Sequence, residues 1–408
     1  MFYTFMINYL YDLMQTVTYT ALLGTLDMVA SALGQNLLWG RISDRRKLRA
    51  RLIIAGELIA ATAYLIVFFI HRSLLDSQAY FVAGATLIAG TAILEFFWSM
   101  SDVGWAALLA DVTTTRTRGK IVGSLGFIAS LGRMIGINFA GFLYRGGEGF
   151  RQGTIFYIVI GMLLTSATLM WATSRHTERT NTRTEKDDSN NMGKQTPAKY
   201  DARTYMWFLS VLVLIVMGAA CINQVYLLFI RLPESLAATD SEASLILTAW
   251  TVGGMLASLL SGWLADRIGR TRVLLLGFAL AFLTPLTYGS ASNVGFMALF
   301  YGLNGVSFWT IQIAGFSFAA DAIPEDRRGR LFSVYNTVMA LAWGPAGFFV
   351  GGPLADMQVK ILGLTPHLAF INTFYASSTI VAVGTLLFVL KVARQKPKPD
   401  QNLKTTST

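Results

Sequence analysis

Long apolar runs alternate with short polar segments along the whole chain, and this alternation predicts its secondary structure. Most of the runs reach the ~20 residues that a helix needs to cross the hydrocarbon layer of a bilayer. The pattern predicts twelve transmembrane helices, the first of them short, over residues 1–14, 19–42, 50–70, 79–110, 119–144, 154–174, 204–230, 243–265, 272–290, 294–320, 329–352 and 367–391. An even number of spans places both ends of the chain on one side of the membrane.

One polar segment divides the spans into two blocks of six. Residues 175–203 are rich in Thr, Asn, Asp and Lys and have no apolar period, which is typical of a linker. The predicted organisation is an N-terminal half over 1–174 with an incomplete first span, a linker over 175–203, a C-terminal half over 204–391 and a tail over 392–408.

The two halves repeat each other at their loops. The segment "GRISDRRKLRAR" from Gly40 matches "GWLADRIGRTRV" from Gly262, and "LADVTTTRTRGK" from Leu109 matches "AADAIPEDRRGR" from Ala319. Aligning Asp44 with Asp266 leaves the first span about half as long as its counterpart. We therefore expect the natural protein to start upstream of Met1, or this product to lack part of a cavity wall.

Composition and charge agree with a membrane protein. Hydrophobic residues make up 54% of the 408 positions and charged residues 14%, which is too apolar for a soluble chain of this length. The loops on the side of the termini carry 27 of the 33 Lys and Arg residues, so the positive-inside rule predicts cytoplasmic termini, with the plasma membrane as location. These basic residues are spread over six loops, which argues against a nucleic-acid site.

Few residues offer catalytic or cofactor chemistry. Cys221 is the single cysteine, so the chain forms no internal disulfide, and the three histidines are far apart in sequence. The chain contains no HExxH motif, no Ser/His/Asp arrangement and no Walker loop that the spacing supports. The sequence predicts no metal, no cofactor and no enzyme, and an energy source other than ATP.

The repeated loop resembles a motif of the major facilitator superfamily, and the resemblance extends over the whole chain. The residues that carry it in the second half are Gly262, Asp266, Arg267, Gly269 and Arg270. The first-half copy keeps Gly40, Asp44 and Arg45 and has Lys47 where the motif's second glycine would be. The resemblance implies an all-α membrane fold of two parallel six-helix bundles, with a central cavity around which the halves rock.

The carboxylates of this loop have a physical reason to act as a cytoplasmic gate. Asp44 and Asp266 lie at predicted helix ends, where each can bind the positive N-terminal end of a helix from the other half. Such a contact exists only when the cytoplasmic side is closed, so it would favour that state. The alternative is that the charged loops only set the topology.

Charged residues inside the spans are costly and indicate function. They are Asp27, Glu57, Glu95, Asp102 and Arg133. Glu57 is near the start of its span and can reach water. Glu95 and Asp102 are seven residues apart and share a helical face with Trp98 and Ser99, so this face is predicted to line the cavity.

Glu95 and Arg133 are predicted to form a proton-coupling pair. Each lies 15 residues from the cytoplasmic end of its span, which places both at the same depth. Protonation of Glu95 would release Arg133 to another acceptor such as Asp27. A static pair that only fixes two helices is the alternative.

The second half offers polar but uncharged counterparts. The repeat offset carries the Glu95 stripe onto Trp309 and Gln312, with Asn304 beside it. Asn223, Gln224 and Tyr226 in the seventh span are further candidates. We predict that the solute-binding residues are Trp98, Ser99, Asn223, Gln224, Tyr226, Asn304, Trp309 and Gln312. Interhelical hydrogen bonding is the alternative role for them.

These features together predict a secondary active transporter. The preferred hypothesis is a monomeric antiporter that exports a small amphipathic solute in exchange for protons, because acidic residues lie beside aromatic ones in the membrane. A metabolite uptake symporter and a transporter-like sensor stay open. The glycines at 344 and at 351–352 are predicted to be bending and close-packing sites.

Overall fold

The computed structural model describes residues 2–46, 48–112, 115–177, 202–323 and 328–394, and within them the chain is almost entirely helical. We number the twelve spans α1 to α12. Their bounds are Phe2–Met14 (α1), Val17–Leu33 continuing to Arg46 (α2), Arg49–Asp76 (α3), Tyr80–Val112 (α4), Thr115–Tyr144 (α5), Thr154–Thr177 (α6), Ala202–Ala220 continuing as Asn223–Phe229 (α7), Asp240–Ile268 (α8), Arg270–Tyr288 (α9), Val294–Ala322 (α10), Arg328–Trp343 continuing to Lys360 (α11) and Pro366–Phe388 continuing to Ala393 (α12).

The twelve predicted spans are confirmed. Eleven described helices are long and apolar enough to cross a membrane. Helix α1 has 13 residues, which at 1.5 Å per residue gives a length of about 20 Å. Most of the predicted linker and tail, residues 178–201 and 395–408, lies outside the described residues.

The spans form two six-helix bundles, α1–α6 and α7–α12. Short connections between consecutive spans make neighbours antiparallel, so odd-numbered helices end on one side of the membrane and even-numbered helices on the other. We call the side where α6 ends and α7 begins the linker side, and the opposite side the far side. One buried hydrophobic cluster contains residues from both bundles, among them Phe5, Tyr144, Tyr226 and Tyr288.

Helices α2, α7 and α11 are interrupted, and the interruptions in α7 and α11 lie next to the contact between the bundles. Helix α2 contains a π-helical segment, Gly34–Trp39, and α7 breaks after Ala220. Helix α11 is interrupted after Trp343, where Gly344 and Pro345 follow, and resumes with a π-helical segment, Gly347–Gly351. Pro345 has no N–H group to continue the helical hydrogen bonds. The bend that the sequence predicts in α11 is confirmed.

Side-chain caps fix the far-side ends of the second bundle. Helix α8 starts at a capping box, in which Thr239 accepts from the Glu242 N–H and the Glu242 carboxylate accepts from the Thr239 N–H at 2.8 Å. The Asn293 side chain accepts from the Phe296 N–H at the start of α10. These caps satisfy backbone groups that the far-side ends of the helices would otherwise leave unpaired.

Candidate solute-binding cavity

A cavity of about 650 Å³ lies between the two bundles. Side chains from four helices of each bundle line it: α1, α2, α4 and α5 in the first, and α7, α8, α10 and α11 in the second. Its size falls within the range of small-molecule sites, which are mostly apolar with a few polar groups.

The first bundle contributes the charged residues of the cavity. Asp27, Glu95 and Arg133 all line it, and the sequence predicts this position for Glu95. Tyr3, from the short first helix, donates its hydroxyl hydrogen to Glu95 Oε1 at 2.9 Å. Asp27 Oδ1 is buried and has no hydrogen-bond partner among the described residues. Asp27 of α2 and Glu95 of α4 thus line the same cavity.

Glu95 and Arg133 do not form the predicted ion pair in this structure. The ion pairs between described residues do not include them, Glu95 is hydrogen-bonded to Tyr3, and the Arg133 side chain is exposed. Equal predicted depth does not by itself bring two side chains together, because each helix also has a rotation about its axis. The coupling role of these residues stays a prediction.

The second bundle contributes amides and aromatic rings. Trp250, Phe308 and Trp343 line the cavity as a row, with ring centroids 5.4 Å apart for the first pair and 6.3 Å for the second. Asn304 also lines it, and its Oδ1 accepts from the Trp250 indole N–H at 3.2 Å while its Nδ2 donates to Thr284. Asn304 therefore fixes the Trp250 ring in addition to facing the cavity.

Three further amides that the sequence singles out also line the cavity: Asn223, Gln224 and Gln312. Gln224 lies between the bundles, because its Nε2 is 3.7 Å from the position of a Cβ on Gly24 of α2 and its Oε1 packs against Gly347 of α11. The break in α7 directly before Asn223 brings these two side chains to the cavity.

Of the α4 stripe, Glu95 lines the cavity, whereas Trp98, Ser99 and Asp102 lie outside its wall. Ser99 is buried and packs against Gly34 in the π-helical segment of α2. Trp98 donates to Glu57 of α3 at 3.4 Å. Asp102 is exposed and lies outside the cavity, about 10 Å along the helix from Glu95. The face of a long helix meets different neighbours along its length.

Two second-half candidates also lie outside the cavity wall. Trp309 packs against Gly254 of α8. Tyr226 is buried behind Tyr301, with ring centroids 4.1 Å apart and planes at 8°. Tyr301 itself lines the cavity. The sequence therefore identifies Tyr226, which packs behind the cavity wall, but not Tyr301, whose ring faces the cavity.

Sequence reasoning missed Tyr3, Trp250, Tyr301 and Trp343 as lining residues. A uniform apolar span carries no signal that tells a lining aromatic residue from one that faces lipid. For Trp250 the sequence does carry one signal, because Thr251, which follows it, is a polar residue within an apolar span. Thr251 also lines the cavity, and its hydroxyl is buried without a partner among the described residues.

The repeated loops on the linker side are described only in part. Gly269 has φ = 91° between α8 and α9, a conformation that favours glycine, and Arg270 Nη1 donates to the Ser317 carbonyl at 2.6 Å. Arg267 lies 4.1 Å above the Trp263 ring. Gly40 and Gly262 lie within α2 and α8. The side chains of Asp44, Arg45 and Asp266 are outside the described part, so their gating role stays a prediction.

Several direct contacts between the bundles lie on the far side. The Asp356 carboxylate of α11 accepts hydrogen bonds from the Val17 and Thr18 backbone N–H groups, at 3.1 and 2.9 Å, and from the Thr18 hydroxyl at 2.6 Å. These donors form the first turn of α2, so Asp356 caps a helix of the other bundle. Lys360 donates to Thr16 at 3.1 Å beside this contact. We call the Asp356 contact the far-side latch.

Helices α5 and α8 form a second set of far-side contacts. Asp240 Oδ2 accepts from the Gly146 N–H at 3.1 Å, and Asn138 donates to the Thr248 hydroxyl at 2.9 Å. An ion pair of 3.8 Å joins Arg231 to Asp12. The structure therefore has the far side of the cavity closed.

Comparison with known proteins identifies the family to which the chain is similar. The model of the Major Facilitator Superfamily matches residues 1–233 and 211–407. A putative metabolite transport protein, YncC of Bacillus subtilis (strain 168), is 33% identical over 138 residues, or 34% of this chain and 27% of that protein. The quinolone resistance protein NorA of Staphylococcus aureus (strain MRSA252) is 21% identical over 159 residues, or 39% of this chain and 37% of that protein. The matched segments thus span well under half of these relatives.

Solved structures match over nearly the whole length. The nucleoside transporter NupG has a TM-score of 0.67 at 13% identity, and the match covers 96% of this chain and 95% of that one. A bacterial homologue of the iron transporter ferroportin has a TM-score of 0.63 at 14% identity, covering 96% and 97%. At this identity the likeness shows the fold, two six-helix bundles that span a membrane.

Proposed function

Because this chain belongs to the Major Facilitator Superfamily, a family of membrane transporters, we propose that it is a proton-coupled secondary active transporter that exports a small amphipathic solute by alternating access. The far side, closed here, would be the outside of the cell, with both termini in the cytoplasm of a plasma-membrane protein. The halves would rock around the cavity within one chain, so a monomer suffices.

The observation that carries this proposal is the division of the cavity wall. All of its charged residues, Asp27, Glu95 and Arg133, come from the first bundle, whereas the second bundle presents amides and aromatic rings. The carboxylates can take up and release protons, and the uncharged wall can hold a solute without titrating. Asp102 lies on the same helix as Glu95 but outside the cavity, so we assign it a place on the proton path to water. Such a division supports coupling of a proton to a solute within one cavity.

The topology and one relative support export. The basic residues lie on the linker side, which the positive-inside rule places in the cytoplasm. Because the far side is closed, a solute would enter the cavity from the linker side. The name of the NorA relative, a quinolone resistance protein, is consistent with outward movement of a foreign compound.

Transport by purified protein in proteoliposomes, under an imposed pH gradient and with a panel of labelled solutes, tests the proposal. We expect one solute class to accumulate against its gradient, with proton movement in the opposite direction. The matched control is Glu95→Gln protein in the same vesicles. Solute movement that is indifferent to the pH gradient would exclude proton coupling.

Metabolite uptake is the second candidate, and the YncC relative, a putative metabolite transport protein, favours it. The same vesicles distinguish the two. In a symporter, solute and protons move in the same direction, and in an antiporter they move in opposite directions. If no solute moves at all, the proposal of a transporter is wrong, and the hypothesis of a transporter-like sensor gains support.

A further inference from the structure

The proposed function leaves the charge of the solute open, and the cavity wall indicates it. We propose that the solute is an organic monocation with a flat apolar ring, whose cationic group binds at Asp27 and Glu95 and whose ring lies against the aromatic row of the second bundle. This inference rests on the proposed function and specifies its solute class.

The charges of the cavity do not balance. Asp27 and Glu95 carry two formal negative charges and Arg133 one positive charge, so the wall has a net charge of −1 when all three are ionised. A net charge inside the membrane is costly unless a counter-charge neutralises it. A solute with one positive charge supplies that counter-charge, and one proton on a carboxylate does so when the solute is absent.

The carboxylates have the greater need of a partner. Asp27 Oδ1 is buried and has no hydrogen-bond partner among the described residues. Among the described residues, no ion pair joins Asp27 to a basic side chain. Among the described residues, the hydrogen-bond donor to Glu95 is a neutral hydroxyl, that of Tyr3.

Arg133 has less need of an anion. Its side chain is exposed, so water can solvate the guanidinium. A buried charge without a partner costs far more than an exposed one. The cavity therefore favours a cation at the carboxylates over an anion at Arg133.

The opposite wall fits the remainder of such a solute. Trp250, Phe308 and Trp343 form a row of rings, and the hydrogen bond from Trp250 to Asn304 fixes the first of them. Aromatic faces attract cations and stack on flat rings. A solute that bridges the two walls would contact both bundles at once, which alternating access requires.

A set of three ligands of equal shape and different charge tests the inference. N-methyl-4-phenylpyridinium is the cation, 4-methylbiphenyl the neutral member and biphenyl-4-carboxylate the anion. Equilibrium binding to the full-length protein in lipid nanodiscs is measured by calorimetry without any gradient. We expect the cation to bind at least about tenfold more tightly than the other two.

Charge variants then locate the site. Asp27→Asn should weaken binding of the cation about tenfold or more, Asp27→Glu should restore much of it, and Arg133→Gln, which makes the cavity wall more negative, should tighten it. The control is Asp76→Asn, an exposed carboxylate at the far-side end of α3. Recovery of binding in Asp27→Glu excludes a folding defect as the cause of the loss in Asp27→Asn.

Three outcomes would overturn the inference: no binding of the cation, equal or tighter binding of the neutral or anionic ligand, or full binding of the cation by Asp27→Asn. The assay uses no gradient, so it separates this inference from the proposed function. Cation binding without transport would contradict the function alone, and proton-coupled transport of an anionic solute would contradict the solute class alone.

Discussion

Asp356 of the second bundle lies 2.6 Å from the Thr18 hydroxyl of the first, and its carboxylate also caps the backbone of that turn. A negative charge at a helix N-terminus is stabilised by the free N–H groups and by the helix dipole. The sequence predicts this type of contact for the linker side, at Asp44 and Asp266. The structure shows it on the far side, where no sequence motif predicts it.

Asp356→Asn should weaken far-side closure. The amide keeps the shape but loses the charge and one acceptor, so we expect the far-side-closed state to lose about 1–2 kcal/mol relative to the open one. Spin labels on Ser77 and Ser292, far-side positions of the two bundles, report their separation when Cys221 is replaced by Ser. Double electron–electron resonance should show that a larger fraction of Asp356→Asn molecules than of wild-type molecules has a long distance between the two labels.

The matched control for Asp356→Asn is Glu148→Gln. Glu148 is an exposed far-side carboxylate, and no hydrogen bond or ion pair among the described residues includes its side chain. Its variant should give the wild-type distance distribution. Identical distributions for Asp356→Asn and wild type would show that the far-side latch does not hold the bundles together.

Gly352→Ala should also favour far-side opening, by steric means. A Cβ on Gly352 would lie 2.6 Å from Thr18 Cα, so the two backbones could no longer approach as closely. Because this contact joins different bundles, the clash is relieved by moving them apart. The same spin-label distances should lengthen, whereas Gly126→Ala, where a Cβ meets nothing within 4 Å, should leave them unchanged.

Gly351→Ala should instead destabilise the fold. A Cβ there would overlap the Cys221 carbonyl of α7, which belongs to the same bundle. Rocking cannot relieve that overlap, so we expect a loss of about 1–3 kcal/mol, as for other overpacked sites. Thermal unfolding in detergent should show a lower midpoint than Gly352→Ala, and equal midpoints would contradict this distinction.

Glu95→Gln should abolish solute accumulation driven by a pH gradient while leaving solute exchange measurable. The amide cannot exchange a proton, but it can still accept the Tyr3 hydrogen bond that Glu95 accepts at 2.9 Å. Tyr3→Phe should retain coupling at a reduced rate, because it removes only the group that positions Glu95. Unchanged accumulation in Glu95→Gln would remove Glu95 from the coupling mechanism.

His71→Ala should lower stability by about 1–3 kcal/mol. His71 is fully buried, and its Nδ1 lies 3.2 Å from the Ala83 carbonyl oxygen while its Nε2 lies 2.8 Å from the Tyr9 hydroxyl. A carbonyl only accepts, so Nδ1 donates and Nε2 accepts from Tyr9. The alanine variant removes both contacts. Thermal unfolding measures the loss, and transport activity of the folded fraction should be unaffected.

The sequence predicts the spans, the two bundles and the charged wall, because the order of apolar and charged residues along the chain is enough to indicate each of them. Apolar run length gives the spans, and Asp27, Glu95 and Arg133 stand out as charges within them. Helix rotation and crossing have no such signal. Ser99 shares a helical face with Glu95 but is covered by the π-helical segment of α2, whose course the sequence does not reveal. The far-side latch depends on the same kind of long-range placement.

The net charge of the cavity has a consequence for energetics. An exchange of one proton for one monovalent cation at Asp27 and Glu95 leaves the cavity neutral when it carries the proton and also when it carries the cation. Such an exchange moves no net charge across the bilayer, so the membrane voltage, which acts with about 2.3 kcal/mol per elementary charge at 100 mV, neither drives nor opposes it. The transport rate would then follow the pH difference and stay constant when a potassium diffusion potential is imposed.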